Sequence, residues 1–304
     1  MGRIVRVTDG GIEYEADPKH RETVVNYFVF EENTRPLQTN GEKQEKVEPW
    51  EEDDLEKSEA TEFRSLAATL NFLSSDCPDL QFPVKPCSRE MAKPRKGSWK
   101  RLKKVARYLA GRKRIVWKFE WQDEVREVSV WSDSDWGGTS RDRKSTSGGC
   151  VSLGAHTIKC WSKTQSNVAL SSGESELYAL VKSASEGLGI QSLMKDLGTD
   201  VEGHVWADAS AALGICSRKG LGKLRHLNTN YLWVQDVAAT RAIDFNKILG
   251  TENPADLFTK YLDQETIKEA LQNPQMCVHG LSLIHISEPT RRTPISYAVF
   301  CLKK

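Results

Sequence analysis

The sequence predicts an α/β chain in which a small helical region precedes a layered unit of strands and helices. Three observations predict it. Over residues 61–111 apolar side chains recur at helical spacing. From residue 125 short alternating runs take over and then alternate with helical ones, in the order βββαβα(α)βα, the pattern of a sheet covered by helices. Charge is segregated along the chain. The net charge is +1, yet residues 42–59, "EKQEKVEPWEEDDLEKSE", are strongly acidic, and residues 93–114, "KPRKGSWKRLKKVARYLAGRKR", hold eleven Lys or Arg and no Asp or Glu.

The elements follow in chain order. "RIVRVT", the turn "DGG" and "IEYEA" read as a strand pair, and "PKHRETVVNYFVF" as a helix. The acidic, Pro-containing stretch to about residue 60 reads as a linker. "TEFRSLAATLNFLSSDCPDL" is a helix with Phe63, Leu66, Leu70 and Leu73 on one face, stopped near Cys77–Pro78. A further helical piece is expected over 83–92. The basic block holds an amphipathic helix whose stripe is Trp99, Leu102, Ala106 and Leu109, ended by Gly111.

"REVSVWSD" alternates like a strand, with Val128 and Val130 on one face and Trp131 and Asp133 on the other. "GGCVSL" and "HTIKCWS" form a hairpin turning at Gly154–Ala155. "SSGESELYALVKSASEGLGIQSLMKDLG" is a helix with Leu177, Val181, Ala184, Leu188 and Leu193 inward, and Ser171 and Glu174 spaced as a capping box. "GHVWAD" is a strand, "SAALGICS" a short helix, "RHLNTNYLWVQDVAATR" a longer helix and "AIDFNKIL" a strand. "ENPADLFTK" opens a last helix, with Asn253 as N-cap and Pro254 at the first helical position.

Composition excludes several classes. No run of eighteen apolar residues exists, so no membrane span or membrane partner is expected. The first twenty residues lack the apolar core of a signal peptide. The seven cysteines, Cys77, Cys87, Cys150, Cys160, Cys216, Cys277 and Cys301, include no CxxC pair, so zinc is not expected and a reduced, intracellular setting is.

Four carboxylates stand at element edges. Asp133 ends the first strand of the layered unit, Glu174 opens its first long helix, Asp208 ends its fourth strand, and Asp256 lies in the first turn of its final helix. Strand ends and helix starts on one side of a sheet converge. Converging carboxylates repel unless cations lie between them, and oxygen-only ligands favour Mg2+ or Mn2+. Two such ions are the standard device for in-line attack on a phosphodiester. Singly, each acid has a structural reading: a turn, a capping box, an N-cap, a helix-dipole partner. Asp135 shares the face of Asp133, and Asp135 and Glu176 are the alternates, read as supporting or structural.

"WSDSDWGG...RKSTSG", "KCWSKTQSNVALSSGESELYAL", "WADASAAL" and "GTENPADLFTK" resemble the ribonuclease H domain of copia-type retrotransposon polyproteins. "SLAATLNFLSSDCPDLQFPVKPCSREM" with "SWKRLKKVARYLAG" resembles the segment joining reverse transcriptase to that domain, and "IEYEADPKHRETVV" the end of the polymerase. The resemblance covers roughly residues 3–275. It implies a ribonuclease H-like mixed five-stranded sheet flanked by helices, preceded by a small helical connection region. It implies residues 1–40 as a reverse transcriptase remnant, 41–60 as an acidic linker, 61–124 as the connection region with its basic helix, and 125–275 as the ribonuclease H-like domain. Residues 276–304 are expected to be a non-native or disordered tail, and 281–304 resemble a translated sequencing adapter.

The resemblance further implies Mg-dependent hydrolysis of the RNA strand of RNA–DNA hybrids. Asp133, Glu174, Asp208 and Asp256 match the family's catalytic and metal-binding acids, holding two Mg2+ or Mn2+ ions. Lys100, Arg101, Lys103, Lys104 and Arg107 would grip phosphates. Ser134, Thr139, Ser145 and Ser172 are candidates to meet 2′-hydroxyls. His226 matches a family block and reads as structural or substrate-positioning. The loop "LGTENPAD" lacks the histidine found there in many cellular enzymes, and no Tyr-x-Asp-Asp polymerase motif is present. The implied partners are the hybrid and the upstream reverse transcriptase, in a cytoplasmic particle or the nucleus. A catalytically inactive nucleic-acid-binding remnant is the alternative. An integrase-like enzyme is weaker, since no HHCC block is present.

Overall fold

The structure, a computed structural model, describes residues 2–28, 30, 37–39, 41, 48–112, 114–138, 142–222, 226–272 and 278–280. Strands β1 (Ile4–Thr8) and β2 (Gly11–Glu15) pair as a hairpin and lead into α1 (Pro18–Tyr27), whose N-cap Asp17 accepts from Lys19 N. Part of the acidic stretch, Pro49–Glu52, is a 3-10 turn. Helices α2 (Lys57–Ser74), α3 (Pro78–Arg89) and α4 (Lys96–Gly111) follow. Pro78 opens α3 at its first turn, where a missing N–H costs nothing, so this helix begins earlier than the 83–92 expected. The helical region closes on a core that includes Phe63, Leu66, Leu70, Leu102, Val105 and Leu109, with Val24 of α1.

Strand β3 (Ile115–Glu120) was not expected; the sequence reading gave residues 61–124 to helices. It pairs antiparallel with β2 on one side and with β9 (Val278–Gly280) on the other, so the order is β1-β2-β3-β9. Strand β9 lies within the segment expected to be non-native; residues 281–304 lie outside the described residues.

The second sheet is built from β4 (Glu127–Asp135), β5 (Thr146–Leu153), β6 (His156–Thr164), β7 (Glu202–Ala207) and β8 (Asp244–Lys247), in the order β6-β5-β4-β7-β8. The β4-β5-β6 pairs are antiparallel, while β7 runs parallel to β4 and β8 parallel to β7. This is the ribonuclease H-like mixed sheet that the resemblance implied. Gly154 turns the β5–β6 hairpin with a φ of +58°, a conformation that favours glycine. Helix α5 (Ser172–Asp196) covers one face, packing Leu177, Leu180 and Ala184 on Val128, Val130 and Val151. Helix α6 (Ser210–Cys216) follows β7. The "longer helix" expected next is shorter: a 3-10 turn, Thr229–Leu232, runs into α7 (Trp233–Ala239), and residues 223–225 lie outside the described residues. "ENPADLFTK" forms a 3-10 turn, Pro254–Phe258, rather than the start of an α-helix, and α8 (Gln264–Gln272) comes after it.

The helical region and the sheet meet at α3. Gln81 Nε2 donates to Cys160 O (3.3 Å), Phe82 packs edge-on against Tyr261, and the buried Lys85 Nζ donates to Thr146 Oγ1. Within the helical region the fully buried Asp79 accepts from both Arg112 Nη1 (2.7 and 2.8 Å) and Tyr108 OH (2.8 Å). Breaking a buried pair strands the remaining charge. Asp79→Ala should therefore cost roughly 3–5 kcal/mol, and the Asp79→Leu/Arg112→Met double variant markedly less. Urea unfolding midpoints of the two proteins check this.

Candidate metal centre

The register of two parallel strands builds the centre. Ser132 of β4 lies beside Ala207 of β7, so the next residues, Asp133 and Asp208, emerge side by side. A third acid arrives from α5. Ser171 caps this helix by accepting from Glu174 N (3.2 Å), and Ser175 Oγ lies 2.8 Å from Ser134 Oγ, pinning the first turn to the end of β4. The next residue, Glu176, then reaches the strand ends. Asp133, Glu176 and Asp208 each offer an oxygen within 4.8 Å of the others.

Glu174, the acid expected there, is elsewhere. Successive helical residues are turned by about 100°, so positions 174 and 176 point in nearly opposite directions. Glu174 accepts from Leu170 N (2.9 Å), Tyr178 OH (2.5 Å) and His226 Nε2 (2.9 Å), an assembly that ties the helix start to the loop carrying His226. Burial alone would raise its pKa, but these donors outweigh it and hold the carboxyl below its ordinary value. The structure thus puts Glu176 where the sequence reading put Glu174.

Asp256 arrives on the 3-10 turn. Asn253 caps this turn through Ala255 N (3.1 Å), as expected, and its Nδ2 also donates to Ser132 O (3.0 Å), tying the turn to β4 beside Asp133. Gly148, opposite Asp133, makes room. A Cβ there would meet Thr259 Cγ2 at 2.6 Å and Phe258 Cβ at 2.7 Å. Asp256 stands outside the group of three. Two residues that the sequence pattern does not single out contact these two acids. Thr259 Oγ1 donates to Asp133 Oδ2, and Lys260 Nζ is 2.8 Å from Asp256 Oδ1 and 3.8 Å from Asp133 Oδ2. Asp135 closes β4 opposite Thr146 and is not in the group of three.

The electrostatics fit a divalent cation. Burial, then Asp133 and Asp208, push Glu176 up to about 8. Burial and Asp133 raise Asp208, and the same two causes raise Asp256. Carboxyls this reluctant to ionise together are an oxygen-only donor set short of positive charge, which suits Mg2+ or Mn2+.

At the level of sequence, no protein-family model matches the chain. Curated relatives do. The retrovirus-related Pol polyprotein from transposon RE2 of Arabidopsis thaliana is 30% identical over 209 residues, 67% of this chain and 14% of that protein. The corresponding polyprotein from transposon TNT 1-94 of Nicotiana tabacum is 28% identical over 185 residues, 60% of this chain. The chain is a homologue of transposon Pol polyproteins. It spans 14% of the length of these relatives. Among solved structures, the ribonuclease H1 LC11, isolated from compost, resembles the chain with 16% identity and a TM-score of 0.33, over 48% of this chain and 99% of that one.

The basic helix is largely engaged with acids of the same chain. Lys100 pairs with the buried Glu51 (2.5 Å), Lys96 with Asp53 (3.1 Å), Lys93 with Asp54 (3.1 Å), Arg95 with Glu52, and Arg101 with Glu90. Lys96 N also donates to Asp53 O (2.9 Å), so the acidic stretch is strapped along the start of α4. Of the residues expected to grip phosphates, Lys103 is exposed, and Lys104 and Arg107 are half-buried. Ser145 is buried and accepts from Gly137 N (3.1 Å), and Ser172 is exposed. Thr139 lies outside the described residues.

A folded-state pKa raised to about 8 makes Glu176 a group whose contribution is full below about pH 4.5 and is lost as pH rises through 8. In chelator, Glu176→Gln should therefore gain on the parent protein between pH 5 and pH 9, by on the order of 4 kcal/mol. Denaturant titrations at the two pH values check the sign.

Proposed function

We propose that the chain hydrolyses the RNA strand of RNA–DNA hybrids, with Asp133, Glu176 and Asp208 holding a divalent cation and Asp256 completing the acidic corner. The observation that carries this reading is the convergence of the three carboxylates, within 4.8 Å, at the ends of β4 and β7 and the start of α5. Homology to transposon Pol polyproteins supports a nucleic-acid substrate in a reverse-transcription setting. An ion bound there supplies Lewis acidity toward the scissile phosphate and the attacking water.

The chain's own groups fill definite roles. Asp133 is fixed from two sides, by β4 and by the Thr259 hydroxyl, so the place of its carboxylate is set before any ion arrives. Glu176, whose proton is held on by burial and by Asp133 and Asp208, would be the carboxyl to ionise beside bound positive charge. Lys260, with its Nζ 2.8 Å from Asp256 Oδ1, favours the ionised Asp256 carboxyl against the burial and the Asp133 charge that raise it. The exposed Lys103 supplies a sequence-independent phosphate contact. The partner set proposed is the hybrid and the remainder of the polyprotein, and the cations proposed are Mg2+ or Mn2+.

The test is cleavage of a labelled hybrid in Mg2+. Asp133→Asn and Glu176→Gln should each lose at least about a thousandfold, the scale of an essential electrostatic group. Glu174→Gln should stay within about tenfold, since Glu174 only anchors the loop of His226. Equal losses at 174 and 176 would count against the assignment. Hybrid binding without cleavage by the parent protein would leave it a nucleic-acid-binding remnant.

A further inference from the structure

The acidic corner already contains one cation, and it belongs to the chain. We propose that the Lys260 ammonium is the resident counter-ion of the Asp133–Asp256 side, so that the ion-free chain offers one open divalent-ion position and a second ion enters only by displacing Lys260. The inference rests on reading the group of three acids as an ion-binding centre.

The geometry separates two halves of the corner. On one side Asp133, Glu176 and Asp208 face each other with no lysine or arginine recorded within bonding distance of Glu176 or Asp208 among the described residues. On the other side Lys260 Nζ is 2.8 Å from Asp256 Oδ1 and 3.8 Å from Asp133 Oδ2. An ordinary i,i+4 pair on a surface contributes little. Lys260 differs in its second partner, because the Asp133 side chain is 3% exposed and a charge that buried needs a counter-charge.

The lysine is held for the purpose. Its own N–H donates to Asp256 O (3.1 Å), closing the turn, and the preceding Thr259 is fully buried and donates to Asp133. Backbone and neighbour therefore fix where the stem of Lys260 starts, while its four methylenes leave the head free to swing. A divalent ion bridging Asp133 and Asp256 would occupy the space that Nζ fills, and two cations cannot share it. Lys260 is thus a positioning residue: it sets how many ions the acids accept.

The experiment counts Mn2+ bound to the full chain without nucleic acid, by electron paramagnetic resonance of free Mn2+. The parent protein should bind one ion tightly. Lys260→Met should bind a second, or bind the first at least about fivefold more tightly, and Lys260→Arg should behave as the parent does. Unchanged stoichiometry and affinity in Lys260→Met would overturn the proposal. No Mn2+ bound by either protein would overturn it together with the ion-binding reading. Tighter binding by Lys260→Met in a chain that cleaves no hybrid would uphold it while the hydrolase reading failed. If Lys260→Met does not fold, the parent protein decides. The acylation rate of Lys260, read by mass spectrometry, should rise at least about threefold as a second Mn2+ binds; a second ion bound without that rise would overturn the proposal.

Discussion

Three carboxylate oxygens within 4.8 Å of one another are costly in a folded chain, and much of the surrounding structure exists to hold them there. The parallel β4–β7 register sets Asp133 beside Asp208. The Ser134–Ser175 contact brings the helix start close enough for Glu176. The Asn253 side chain and the bare Cα of Gly148 let a third segment close over the same spot. None of these contacts is strong alone. Together they convert repulsion that would otherwise open the site into affinity for positive charge, which Lys260 meets in part on the Asp256 side.

Much of this was legible in sequence, and the parts that were not have physical reasons. Alternation and turn residues located β4, β5, β6 and the caps at Ser171 and Asn253 because these signals are local. The choice between Glu174 and Glu176 was not local. The S-x-x-E spacing drew attention to Glu174, and that acid does serve the helix start, through Leu170 N. The signal for Glu176 was present but needed the helix face to be read. Three, four and seven residues on lie Ala179, Leu180 and Ser183, all buried. An acid on a buried stripe of a helix, near its start, is out of place unless something draws it there. Strand β3 was missed because "IVWKFE" follows directly on a strong helix, and its partners lie about a hundred residues earlier in the chain and about a hundred and sixty later.

Charge runs were the least transferable signal. The basic block looked like a polyanion footprint, and the acidic block like a solvated linker. Each is instead much of the other's answer: Glu51 to Asp54 lie along α4 and neutralise its first turns. A run of one sign reports the surface potential only after the opposite run has been located in space.

The four-stranded sheet bears on how the chain can be divided. Strand β3 sits between β2, from the first fifteen residues, and β9, from beyond residue 277. Cutting at residue 60 or 124, where the sequence suggests domain boundaries, would leave "IVWKFE" or its partners with unpaired backbone edges. Exposed edges of apolar strands recruit other chains. A fragment trimmed to the five-stranded sheet alone would shed that strand but also lose α3, including the Lys85 contact to Thr146. Aggregation on truncation would therefore follow from the topology, separate from any weakness of the five-stranded sheet.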